Sequence, residues 1–276
     1  MPYTTLMVHL ELGRPNAGLL NIARDLAERL NAGVIGIAAC QPVPIGYGEG
    51  YELSGELVQA GRDELERELK VAEAEFLVGM EGKAPNLEWR STITFGALSD
   101  YVAQEARSAD LILTRLSTPD LFDQTRTVST GDLVMRAGRP VLVAPEAITT
   151  LKLDQILVAW KDTREARRAV VDALPLLQKA AQVLVVEIAA EADQAVAQTH
   201  VQQVAAWLQR HGVAAVAMAS LVVGDDASRL SELALEHDAD LIVAGAYGHS
   251  RLREWAFGGV TRDLLARKDR CVLLSH

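Results

Sequence analysis

The chain has 276 residues, 49% of them hydrophobic and 23% charged, the balance of a folded globular protein and not of a disordered one. Lysine and arginine number 27 against 37 aspartates and glutamates, a formal net charge of -10, which argues against DNA or RNA as the main partner. No apolar run reaches the ~18 residues of a membrane span, no signal-peptide pattern opens the chain, and Cys40 and Cys271 both sit beside apolar runs, so a cytoplasmic protein with two buried, reduced thiols is expected.

In chain order, Thr5-Leu6-Met7-Val8 reads as a first strand and Pro15 as the start of a first helix. Gly46, Gly48 and Gly50 are spaced Gly-x-Gly-x-Gly, not the Gly-x-Gly-x-x-Gly of a dinucleotide loop, and read as a flexible insertion. Residues 57–76 form a long charged helix, whose charge run 62–70 reads as a solvated face with pairs such as Glu66–Lys70. Gly96 precedes a helical stretch that ends on Ala109-Asp110-Leu111-Ile112; Asp132-Leu133-Val134 with Arg136, then Pro140-Val141-Leu142-Val143, follow.

Each marker then returns. Gln155-Ile156-Leu157-Val158, Gly224, Ala239-Asp240-Leu241-Ile242, Asp263-Leu264-Leu265 with Arg267, and Cys271-Val272-Leu273-Leu274 repeat the earlier set in the same order. A repeat of this kind means two copies of one supersecondary plan, read here as domains 1–147 and 152–276 joined near residues 145–153. In the second copy, residues 156–160, 182–188, 214–222, 241–244 and 271–274 are short apolar runs, expected of strands buried on both faces of a parallel sheet. Between them lie helical patterns: one capped by Thr163 and kinked near Pro175, two over 195–210 and 227–236, and a shorter one over 260–267. The expected fold is α/β: two tandem doubly wound, mainly parallel five-stranded sheets flanked by helices, a Rossmann-like sandwich. The last strands of the copies, 141–144 and 272–274, are apolar edges expected to pair with each other, making the chain an internal pseudo-dimer; whether whole chains also form a homodimer is not readable.

Ligands of such sheets bind beyond the carboxyl ends of the strands, where strand order switches. In the second copy the loop after the fourth strand carries Gly245 and Gly248 on leaving the strand and Gly258 and Gly259 before the next helix. Glycines let backbone N–H groups approach an anion, and a helix start adds unsatisfied donors, so the loop is a candidate phosphate cradle; tight turns on a long loop are the alternative. His249 within it would bond a phosphate or ribose, or simply meet water. The cradle glycines have no counterpart in the first copy, where Arg115, Thr118, Thr127 and Val128 stand opposite them, so a phosphate-bearing ligand is expected in the second domain only. No P-loop, nucleophile elbow or zinc-spaced His/Cys set occurs.

The loop resembles that of universal stress proteins, Gly-x2-Gly-x9-Gly-Ser/Thr: Gly245, Gly248 and Gly258 match, whereas Gly259 stands where the hydroxyl residue belongs and Thr261 follows two places later. The resemblance implies an ATP-, ADP- or AMP-binding module with a regulatory or protective role in stress, not an enzyme, with Mg²⁺ as an optional companion. It places Gly245, Gly248, His249, Gly258, Gly259, Val260 and Thr261 around the phosphates, Ala159, Lys161 and Asp162 at the end of the first strand, Ile188 on the adenine wall, and Gly224 where the base needs room. Lys161 occupies the family's usual Asp position, facing either a phosphate or solvent, and Asp162 is the nearest carboxylate for a metal. The alternatives are a nucleotide-free interaction protein of the same fold and, from another class, an adenylating enzyme; the latter lacks its Ser-Gly-Gly-x-Asp-Ser loop here.

Overall fold

The apolar runs become ten strands in a computed structural model that describes residues 2–42, 55–116, 125–222, 224–246, 263–265 and 268–276. The glycine-spaced segment 46–50 and most of the second-copy glycine loop lie outside these residues. The first half supplies β1 (Thr5–His9), β2 (Gly33–Cys40), β3 (Leu87–Ile93), β4 (Leu111–Arg115) and β5 (Val141–Ala144), with helices α1 (Ala17–Leu30), α2 (Gly55–Met80), α3 (Leu98–Glu105) and α4 (Thr130–Arg136). The second half supplies β6 (Gln155–Ala159), β7 (Gln182–Ala189), β8 (Ala215–Leu221), β9 (Leu241–Gly245) and β10 (Cys271–Ser275), with α5 (Arg164–Leu177), α6 (Gln194–Arg210) and α7 (Asp226–Glu236).

The strands form one ten-stranded sheet in the order β3-β2-β1-β4-β5-β10-β9-β6-β7-β8. Every neighbouring pair is parallel except β5 and β10, which run antiparallel with Val143 opposite Val272 and Val141 opposite Leu274. The expected five-stranded sheets are thus joined edge to edge, each edge satisfying the other's backbone groups. Side chains alternate across the strands into two cores. One lies under α1, α2, α5 and α6, with Leu19, Phe76, Val170 and Val201; the other lies under α3, α4 and α7, with Val102, Leu133 and Leu230.

Local chemistry explains the repeated markers. The carboxylate of Asp110 accepts from the N–H groups of Thr4 (2.8 Å) and Thr5 (3.0 Å), and that of Asp240 from Asp154 (2.8 Å) and Gln155 (3.1 Å). Each Ala-Asp therefore pins the start of the first strand of its half. Asp240→Ala leaves two N–H groups without that partner and is expected to cost about 1–2 kcal/mol, read as a lower urea midpoint at unchanged slope. Thr163 caps α5 as expected, accepting from the Ala166 N–H at 3.3 Å.

The outer edges of the sheet are guarded differently. β3 carries Glu88 and Arg90, paired at 2.8 Å, and charge discourages further pairing. β8 has no charged residue; instead two side chains of α6 cover it. Gln209 donates to the Ala215 carbonyl at 2.8 Å, and Gln198 accepts from the Ala219 N–H at 3.1 Å.

Candidate functional site

In the second half, strand order switches between β6 and β9, so the crevice lies beyond their carboxyl ends. Ala159 closes β6 and sits opposite Ala244, and Gly245 closes β9 one residue on. The first turn of α5 lies against that end. A Cβ on Gly245 would stand 2.5 Å from the Ala166 nitrogen and 2.6 Å from the Glu165 carbonyl carbon. Gly245 thus has a packing reason to be glycine: backbone of α5 occupies the space a side chain would need.

The other described candidates gather around this end. Lys161, two residues past β6, holds its Nζ 3.5 Å from Oδ2 of Asp226, the first residue of α7. Asp162 accepts from Arg167 at 2.5 Å. Ile188 packs on the α7 side of the sheet, as does Ala159. Gly224 has φ +74 with open space where a Cβ would stand, and Asp225 after it caps α7 through the Ser228 N–H at 2.9 Å. The structure therefore brings Ala159 and Gly245 side by side and ties Lys161 to the start of α7. Gly248, His249, Gly258, Gly259, Val260 and Thr261 lie outside the described residues. Among the described residues no three His, Cys, Asp or Glu side chains are grouped to hold a metal ion.

Sequence reasoning passed over two residues here. Asp226 partners Lys161 from 65 positions away, and only the fold reveals such a pairing. His276 sets its Nδ1 3.1 Å from the Ala246 carbonyl, while the Ala246 N–H donates to the Ser275 carbonyl at 2.8 Å. The end of β10 thus holds the residue from which the glycine loop departs.

The matching crevice of the first half is built from the same elements and is filled. Arg115 closes β4 where Gly245 closes β9. Its guanidinium, in a residue 5% exposed, donates to the carbonyls of Pro145 (2.6 Å) and Ile148 (3.0 Å). Room for it comes from α1: a Cβ on Gly18 would stand 2.4 Å from Arg115 Nη2 and 2.8 Å from Thr149 Cγ2. In one half the glycine is on the strand and the helix fills the space; in the other the glycine is on the helix and the strand's arginine fills it. Residues 145–153 lie over this crevice as a strap, held further by buried Leu151 and Leu153 and by Arg29, which donates to the Lys152 carbonyl at 2.7 Å. What remains is a cavity of about 30 Å³ lined by Glu11, Arg14, Arg115, Thr127 and Glu146. At the end of β1, His9 is fully buried, its Nδ1 3.1 Å from Thr114 Oγ1 and its Nε2 without a partner. Burial holds its pKa down at about 4.

Residues 152–275 match the universal stress protein family model. Over nearly its whole length the chain superposes on a universal stress protein from Archaeoglobus fulgidus, with a TM-score of 0.77 and 12% identity, covering 98% of this chain and 95% of that one. It is also similar to a functionally unknown protein from Pseudomonas aeruginosa, with a TM-score of 0.61, 15% identity, and coverage of 99% and 92%. At these identities the likeness shows the fold, which in both cases extends across the two halves. No curated protein matches the chain. Residues 152–275 thus match the universal stress protein family, and the first half repeats the same fold.

Proposed function

We propose that the chain is a cytoplasmic stress-response module that binds one adenine nucleotide, ATP, ADP or AMP, in its second half, and regulates or protects rather than catalyses. The match of residues 152–275 to the universal stress protein family supports the stress-response role. The observation that carries the single site is the contrast between the crevices. A cavity of about 30 Å³ is water-sized, against the ~300 Å³ or more of a ligand pocket, and the strap lies over it. Among the described residues no such strap lies over the second-half crevice, and Gly245 keeps side-chain bulk out of its mouth. Lys161 adds a cation beside it, in a 3.5 Å pair with half-buried Asp226 that a phosphate can replace.

Calorimetry with the three nucleotides tests this. One site per chain is expected, with Lys161→Glu weakening it about tenfold and Gly258→Val abolishing it in a folded protein. A fitted value near two, or unchanged affinity in both variants, overturns the placement. No binding of any of the three leaves the interaction-protein reading. No turnover above about 1 s⁻¹, the low end of ordinary enzymes, is expected, because phosphoryl transfer needs a positioned base and metal.

A further inference from the structure

Helix α2, 26 residues long against 17 for its counterpart α6, carries a second apolar face that no described residue covers. Its inner face, with Leu65, Leu69, Ala72, Phe76 and Met80, is buried. On the opposite side Arg67, Val71, Ala74 and Val78, and Glu81 in the turn just past the helix end, follow one another at steps of four, three, four and three. That is the spacing of a coiled-coil seam, here about 21 Å long. Val71 is 69% and Val78 77% exposed, and the small side chain of Ala74 at the centre lets another helix come close. Beside it runs a groove of about 660 Å³, lined by Leu12, Gly13, Arg14, Val71 and Glu75 among others.

We propose that this seam docks on the same seam of a second copy of the chain, antiparallel, with Ala74 on the two-fold axis. Charge selects both the occupant and its direction. About Ala74, an antiparallel neighbour sets Arg67 against Glu81 of the other copy, and does so twice by symmetry. A parallel neighbour would set Arg67 against Arg67 and Glu81 against Glu81, which repel. Arg67 already pairs with Glu64 one turn back, yet 66% of its side chain is exposed and free to reach across. The sheet itself offers less to a second copy: β5 and β10 are consumed by each other, Gln198 and Gln209 cover β8, and Glu88 and Arg90 guard β3. A seam this narrow makes a reversible contact of the transient class. The proposal does not depend on whether nucleotide binds.

Two experiments on the full chain test it. In the first, Ala74→Cys is oxidised mildly. The native thiols of Cys40 and Cys271 are buried, so a disulfide-linked dimer is expected from Cys at position 74 and not from Glu56→Cys, an exposed position on the same helix about 27 Å away. In the second, sedimentation measures the dimer midpoint: Arg67→Glu should shift it about tenfold to higher concentration, and adding Glu81→Arg should restore it. Equal cross-linking of the two cysteine variants, no recovery in the charge-reversed double variant, or a wild-type chain monomeric at ~1 mM, beyond the range of weak specific contacts, would overturn the proposal.

Discussion

Gly245→Ala is expected to destabilise the protein by about 3 kcal/mol, the upper range for forcing one methyl into a filled space. The new Cβ would meet the backbone of Glu165 and Ala166 at 2.5–2.9 Å, and backbone in a helix cannot turn aside as a side chain can. Either the end of β9 or the first turn of α5 must move. The pseudo-equivalent change Gly18→Ala should behave differently, because its obstacles are two side chains, Arg115 and Thr149. Shortening the first in the same chain, Gly18→Ala with Arg115→Ala, should recover part of the loss, while no single truncation rescues Gly245→Ala. Chemical denaturation of the three variants decides it, and a Gly245→Ala protein as stable as wild type would mean that α5 is not seated on β9.

His9 is expected to govern stability in mild acid. Its folded pKa of about 4 lies below the unfolded value of 6.5 because burial penalises the imidazolium. The unfolded chain therefore binds the proton first as pH falls. The stability held with neutral His9 is complete above pH 6.5 and is lost between there and pH 4, by about 3 kcal/mol at 1.36 kcal/mol per unit. His9→Leu cannot take up a proton, and its stability should fall less over the same range by about that amount. Parallel curves for wild type and His9→Leu between pH 7 and 4 would show that His9 titrates in the folded protein as it does unfolded.

The strands were legible because a parallel sheet buried on both faces demands unbroken apolar runs, and 156–160 or 271–274 need only a one-residue adjustment to meet β6 and β10. The repeat was equally plain, although its physical cause, the aspartates that pin β1 and β6, required hydrogen bonds that no pattern displays. Arg115 was visible opposite Gly245, but only as added bulk. That it ties down the connection between the halves depends on Gly18, an isolated glycine in a helix with no local signature. His9 was one of six scattered histidines, and nothing short of the fold distinguishes a buried one. In α2 the charge run 62–70 hid the seam, since period-seven spacing among Arg67, Val71, Ala74, Val78 and Glu81 straddles its end.

The antiparallel join has a further consequence for symmetry. Because β5 and β10 run in opposite directions, the parallel strands of the two halves also point oppositely, and their carboxyl rims open on opposite sides of the sheet. β6 starts on the side where β5 ends. The connection between them stays on that side, with three strand spacings, about 14 Å, to cross, and it leans back over the end of β4, where Arg115 holds the carbonyls of Pro145 and Ile148. Two separate chains associating in this way would keep two equivalent mouths. A tether confined to one side of the sheet can lie over the first mouth, as this one does, but cannot reach the second, which opens on the other side. A circular permutant, opened between β5 and β6 and sealed from the end of β10 to the start of β1, would carry its tether across the second mouth instead, transferring the occlusion from one half to the other with every strand left in place.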